Sequence, residues 1–310
     1  MRRYKKLLVG LSLDDSGTAV SPGSRRAVEE AQWLAAKTGG AVTLFHAIGD
    51  GESAVAPSGP SDGKAALERA PAPIAEFARQ FTAGAPSSQA CQFAVEYGPA
   101  TEAITRRVMR GENDFVVVAK RNALGSASRR LGTIAARLVR NCPSPVWIVH
   151  TARPFPHKNV MAATDLEPVG ALATQLGAWF AREMGAKLEV VHAWQMPMDL
   201  EMERANLSPA AYQERVQTIT ETCAAKVRDG LAAEAHGAEP VLHIGNDKPS
   251  TAILALVEKY AVDMLVLGSV GRSGLSGALV GNTAERLLHE VDCSLLTVKP
   301  DGFKSPIALA

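Results

Sequence analysis

Aromatic residues make up only 5% of this 310-residue chain, too few for the stacking platforms that hold single-stranded nucleic acid. It also lacks an excess of either charge, since 33 Lys and Arg face 32 Asp and Glu for a net +1. That balance excludes the long-range positive field of a dedicated nucleic-acid binder. The 4 cysteines (Cys91, Cys142, Cys223, Cys293) include no CxxC pair, so neither a disulfide framework nor a zinc site is expected. They read as buried thiols of a reducing compartment. No run approaches the ~18 apolar residues of a membrane helix. The basic Met1–Lys6 followed by Leu7–Leu13 runs straight into Asp14-Asp15 with no small-residue cleavage site, so a first β-strand explains it better than a signal peptide. The expectation is a cytoplasmic protein that contacts neither membrane nor nucleic acid.

What is present is ordinary globular material, 46% hydrophobic and 21% charged, enough for two cores. The chain is also written twice. Val95–Ile104 is matched by Leu242–Asn246 and, after a two-residue offset, by Ser250–Ile253. Asn113–Ala119 is matched by Val262–Gly268, Leu131–Ala135 by Val280–Ala284, and Val42–Ala47 by Leu188–Ala193. A near-constant shift over four segments means two copies of one domain. We place them at residues 1–151 and 157–300, with a C-terminal tail at 301–310. The junction Thr151–His157 carries two prolines, which suits a short linker.

Each copy alternates strand and helix patterns. In the second copy the strands are expected near Asn159–Thr164, Leu188–Ala193, Glu239–Ile244, Met264–Gly268 and Leu295–Lys299. These short apolar runs suit a sheet buried on both faces. Helical patterns such as Gly170–Met184 and Ser250–Tyr260 lie between them, and crossover connections of that kind require parallel strands. The long insert Gln195–Gly237 is expected to be mostly helical, with a start signal at Ser208-Pro209. The fold class is therefore α/β, with two tandem doubly wound five-stranded parallel-sheet domains of Rossmann-like type. The terminal strands Val146–Val149 and Leu295–Val298 are the expected seam of a pseudo-two-fold pair.

Ligands of open parallel sheets bind beyond the carboxyl ends of the strands. There the second copy carries Gly268-Ser269-Val270-Gly271, then Gly281-Asn282-Thr283-Ala284-Glu285. Glycine lets backbone approach an anion closely. Asn282 with Glu285 is expected to cap the last helix in a box-like pattern, and a helix N-terminus is a ready phosphate site. A nucleotide-phosphate cradle and a flexible loop ahead of a capped helix both fit these residues.

The series Gly268-x2-Gly271-x9-Gly281, followed by a small polar residue, resembles the nucleotide-binding signature of the universal stress protein family. The first strand ending at Asp165, the second ending at His192-Ala193, and the terminal Leu295–Lys299 extend the resemblance over nearly the whole chain, in the family's tandem form. The resemblance implies an adenine-nucleotide α-hydrolase-like fold and an adenine nucleotide, typically ATP, with ADP and AMP as alternatives and Mg2+ accompanying the phosphates. Asp165 would lie by the adenine and ribose, at a strand where Ala163 replaces a proline of some members. Ala193 and Leu267 would face the base, Gly268 and Gly271 would line the ribose–phosphate path, and Gly281, Asn282 and Thr283 would hold phosphates. Asn282 departs from the Ser or Thr usual there. The resemblance further implies unidentified protein partners, a pseudo-dimer formed within one chain, and homodimers as a further assembly.

The first copy departs further. Ser12 stands for the aspartate, Ala119 and Asn122 for two glycines, and only Gly132-Thr133 keeps the pattern, with its hydroxyl expected at the helix cap. Lys120, Arg121, Arg129 and Arg130 read as a solvated basic loop. His46 and His192 read as satisfied histidines at one strand end. With no Walker loop, GxSxG elbow or HExxH motif, the chain reads as a nucleotide-responsive binding module with no catalytic residues. A weak ATPase or nucleotidyl-transfer enzyme, and a purely structural interaction protein, are the alternatives.

Overall fold

The structure, a computed structural model, describes residues 4–49, 60–84, 90–120, 132–194, 207–231, 239–269 and 281–309. In the first half the order is β1 (Lys6–Gly10), α1 (Pro22–Thr38), β2 (Ala41–Ile48), β3 (Ser61–Asp62), α2 (Gly63–Arg69), α3 (Ala72–Gly84), β4 (Cys91–Tyr97), α4 (Ala100–Met109), β5 (Phe115–Ala119), α5 (Thr133–Asn141) and β6 (Val146–Val149). The second half follows with β7 (Asn159–Ala163), α6 (Pro168–Met184), β8 (Lys187–Trp194), α7 (Pro209–Leu231), β9 (Val241–Asn246), α8 (Pro249–Lys259), β10 (Met264–Gly268), α9 (Asn282–Glu290) and β11 (Ser294–Val298).

The central strands are apolar because helices cover both faces of the sheet; Phe115, Val116 and Val117 of β5 are all fully buried. The helices α1 and α6 are punctuated alike. Each has proline in its first turn and stops at a left-handed glycine, Gly39 and Gly185, both at φ 66°, where a Cβ would be strained. The helix α7 begins where Ser208-Pro209 indicates, and the Ser208 hydroxyl accepts from the Ala211 N–H at 3.2 Å.

The two five-stranded parallel arrays form one eleven-stranded sheet, in the order β3-β4-β2-β1-β5-β6-β11-β10-β7-β8-β9. At its centre β6 and β11, the strands singled out above, pair antiparallel, with Trp147 opposite Leu296. The two-residue β3, antiparallel to Ala94 and Val95 on the outer edge, is an addition to the expected five strands, and nothing in two residues announces it. Both apolar layers run through the seam. One joins Trp147 and α1 residues to Phe180 and Leu296, and the other joins Leu138 and Ile148 to Leu287 and Leu295.

The scarce aromatics concentrate at this seam. Trp33 lies 6.0 Å from Phe180 and 5.6 Å from Phe155, and Trp147 packs edge-on to Phe180 at 5.1 Å. Polar contacts close both ends of the β6–β11 pairing. Lys120 Nζ donates to the Val291 carbonyl at 2.8 Å and Lys299 Nζ to the Arg140 carbonyl at 3.2 Å, so each half caps the other's final helix. The Lys120 reading is thereby corrected: it is 3% exposed, because a helix C-terminus across the seam supplies the carbonyl a solvated lysine would not need. Arg121, Arg129 and Arg130 lie outside the described residues.

Burial lowers Lys299 from 10.5 to about 8. In that window the unfolded chain binds the extra proton, so Lys299 adds stability as pH climbs from about 8 to 10.5. Lys299→Met is expected to remove that rise, which denaturant midpoints at pH 8 and 10 would measure. The 4 cysteines are free; Cys142 and Cys293 are buried, but Cys91 and Cys223 are only partly so, which corrects the uniform burial expected. Burial pushes the Cys293 thiol up to about 12, leaving it unreactive at neutral pH.

Candidate functional site

The carboxyl ends of β8, β7 and β10 bring the predicted residues together. Ala163, the last residue of β7, is in register with Leu267 of β10 and with Val191 of β8, two residues before Ala193. Gly268 follows directly. The chain then leaves at Ser269 and returns at Gly281, whose N–H donates to the Ser269 carbonyl at 3.1 Å. This bond pins the strand end to the start of α9. Gly271 and the rest of 270–280 lie outside the described residues.

Asp165 sits in the four-residue connection 164–167 between β7 and α6. Its Oδ1 accepts from the Glu167 N–H at 3.1 Å, while Thr164 Oγ1 accepts from Leu166 at 3.0 Å. Leu166 is left-handed at φ 66°, a conformation that L side chains visit at a cost.

The expected capping box does not form. Gly281, not Asn282, holds the N-cap position, and among the described residues no side-chain cap bond is made there. Asn282 is the first helical residue, and Glu285 is drawn away to Arg140 across the seam. In the first half Gly132 likewise takes the cap position and the Thr133 hydroxyl makes no cap bond. Among the described residues, the first N–H groups of α9 have neither an intrahelical nor a side-chain capping acceptor.

The lack of a side chain at Gly268 has a packing cause. A Cβ there would come within 2.8 Å of Val169 Cγ1 on α6, and at the matching place in the first half a Cβ on Gly23 of α1 would come within 2.7 Å of the Ala119 methyl. The two halves solve one helix–strand contact oppositely, Val169 over Gly268 and Gly23 over Ala119. Gly268→Ala alone is expected to cost about 1–3 kcal/mol through overpacking. Added to Val169→Gly it recreates the first-half pair, so a double-mutant cycle by urea unfolding should show about 1 kcal/mol or more of favourable coupling. Additive effects would refute the exchange.

The first half holds a cavity of about 520 Å³. Its walls include Gly10, Ser12, Ala47, Val118, Ala119, Gly132, Thr133 and Ile134. By strand and helix position these are the counterparts of Ala163, Asp165, Ala193, Leu267, Gly268, Gly281, Asn282 and Thr283. The cavity thus maps the same place in the repeat, a correspondence readable only once the two copies are superposed. The connection Leu13–Ser21, longer than its second-half equivalent, adds Asp14 and Asp15 to the wall. The Ser16 hydroxyl, 2.8 Å from Asp14, holds that carboxyl below its ordinary value. The Ser12 hydroxyl is tied to Ser21 at 3.0 Å and to Ser24 at 3.2 Å.

His46 and His192 are buried, each with Nδ1 against the carbonyl that follows the neighbouring strand, at 3.1 Å to Leu11 and 2.8 Å to Thr164. They lock strand ends together, as the repeated position suggests.

Comparison with known proteins closes this description. The model of the universal stress protein family matches the chain twice, at residues 3–150 and 156–299. Universal stress protein E of Photorhabdus laumondii is 27% identical over 221 residues, 67% of this chain and 68% of that one. Universal stress protein E of Escherichia coli K12 is 27% identical over 225 residues, 67% of each chain. Among solved structures, a functionally unknown Pseudomonas aeruginosa protein superposes with a TM-score of 0.70 at 20% identity, covering 97% of this chain and 95% of that one. An Archaeoglobus fulgidus universal stress protein gives 0.60 at 15% identity, covering 94% and 97%. Among the described residues no helix is long and apolar enough to cross a membrane. With both halves matched and the sheet joined as one, the chain belongs to the universal stress protein family.

Proposed function

We propose that this protein is a cytoplasmic, nucleotide-responsive stress protein that binds one adenine nucleotide, ATP in the first instance, in its second half. The observation that carries the reading is the Ser269–Gly281 pin, which sets the uncapped start of α9 beside the ends of β7 and β10. Phosphates would meet the helix N–H groups of Asn282 and Thr283 beyond Gly281, with the base against Ala163, Ala193 and Leu267 and the ribose near Asp165. The first-half cavity suits a polyphosphate less well. Asp14 and Asp15 line it, and the Lys120 ammonium is turned to Val291 across the seam. Among the described residues no group of three His, Cys, Asp or Glu is placed to hold a metal; in this reading Mg2+ accompanies the phosphates.

The site holds its ligand rather than turning it over, and occupancy alters contacts with a protein partner. Isothermal titration of ATP into the intact chain should give a stoichiometry of one, and phosphate release should stay far below the ~10 s⁻¹ of an ordinary enzyme. Sustained multi-turnover hydrolysis would favour the ATPase alternative. Absence of nucleotide binding, with none released from gently purified protein in mass spectrometry, would favour a structural interaction protein.

A further inference from the structure

Where the linker crosses α1, two polar atoms are buried face to face without a hydrogen-bond partner among the described residues, Glu30 Oε2 and His157 Nε2, 4.0 Å apart. Both side chains are fully enclosed. Their other polar atoms are committed. His157 Nδ1 lies 2.7 Å from the Pro154 carbonyl, which can only accept, so Nδ1 carries a hydrogen. Glu30 Oε1 accepts from Arg26 Nε at 2.9 Å. With Nδ1 protonated, a neutral imidazole presents a bare lone pair at Nε2, and that lone pair needs a donor. The group facing it is a carboxyl, which donates only when protonated.

We propose that Glu30 carries a single proton on Oε2 at neutral pH, that closing the 4.0 Å gap to hydrogen-bond distance offers it to His157 Nε2, and that this proton latches the linker onto the first helix. Without it a buried carboxylate faces a buried lone pair, and the linker loses one of its holds on α1. Other holds include Arg26, which donates from Nη2 to the Arg153 carbonyl at 3.2 Å and lies 5.4 Å over the Phe155 ring, and Trp33, 5.6 Å from that ring.

The charged neighbours are few. Arg26 and Glu29 share α1 with Glu30, and Asp263, at the start of β10, acts on His157. Burial outweighs them. It raises Glu30 from 4.5 to about 8 against the pull of Arg26, and it lowers His157 from 6.5 to about 4 against its bond to Pro154. Between 4.5 and 6.5 the folded chain keeps a proton on Glu30 and lacks one on His157, so the two slopes cancel. Between 6.5 and 8 only Glu30 differs, with the folded chain holding one proton more, so stability falls as pH rises.

Glu30→Gln supplies the discriminating variant, because the amide still donates to Nε2 and cannot titrate. From pH 6.5 to 8 the unfolding constant of the wild-type chain should rise relative to the variant by about tenfold per pH unit, about thirtyfold in all. Protection factors of the Arg153, Phe155, His157 and Lys158 amides, which remove the intrinsic pH dependence of exchange, should fall over the same interval in the wild type alone. A pH-independent ratio would overturn the latch. Independently of any variant, imidazole ¹⁵N spectra of the wild-type chain at pH 7 should show His157 as the neutral Nδ1–H tautomer. An imidazolium, or a midpoint near the ordinary histidine value of ~6.5, would overturn it equally.

Discussion

Trp147→Ala should lower the stability of the whole chain by about 3–5 kcal/mol, the range for emptying a fully buried large aromatic. Trp147 is 0% exposed, sits on the β6 side of the central pairing opposite Leu296, and packs edge-on to Phe180 of the other half. The space it leaves is bordered by both halves, so neither can close it alone. At a few degrees per kcal/mol for chains of this size, the midpoint of thermal unfolding should fall by roughly 10 °C. Trp147→Phe retains most of the ring and deletes an indole N–H that has no hydrogen-bond partner among the described residues, so its cost should stay under about 1.5 kcal/mol. Calorimetry of the three proteins measures this. Two separate transitions in the wild-type chain, or a shift under about 2 °C in Trp147→Ala, would show that the halves do not share one cooperative core.

Gly281→Val should weaken ATP binding by two to four orders of magnitude. Gly281 has φ −61° and ψ 142°, extended backbone that valine adopts readily, so the substitution strains no backbone dihedral while placing a branched side chain at the start of α9. Two charge-assisted hydrogen bonds to phosphate, each worth roughly 1.5–3 kcal/mol, would be blocked, and ~1.4 kcal/mol is one decade of affinity. Gly132 is the matched control, with φ −62° and ψ 150° at the start of α5. Gly132→Val should leave ATP binding unchanged. The reverse pattern in titration calorimetry would move the nucleotide into the first-half cavity. Equal loss in both variants would mean two sites.

Much of this molecule was legible from its sequence because a strand covered on both faces must be apolar along its length, as Met264–Leu267 and Phe115–Val118 are. The carboxyl ends of those strands then fix where the candidate site lies. The seam was legible only as a pair of strands. Trp33, Trp147 and Phe180 are far apart in sequence, and no local pattern foretells that they meet. The Asn282–Glu285 box failed for a related reason, since Arg140 from the other half competes for the carboxylate and a local motif carries no record of such a rival. Gly268 illustrates a signal present but unread. The copies exchange bulk at two places together, Gly23 for Val169 and Ala119 for Gly268, which marks a packing partnership as well as a path for ligand.

Because β6 and β11 belong to one polypeptide, dilution cannot separate them. Two independent domains joined across such a seam would part at low concentration, whereas a tether holds the second partner at an effective concentration in the millimolar range. Covalent linkage also releases the pair from strict symmetry. In an assembly of identical subunits every substitution appears twice, so a change that spoils one pocket spoils both. Here one half can keep the short connection 164–167 while the other acquires an acidic wall at Asp14 and Asp15, and Lys120 and Lys299 can cap opposite helices from non-equivalent positions. Fusion thus turns a duplicated strand-end region into two independently adjustable ones on a scaffold whose integrity no longer depends on abundance.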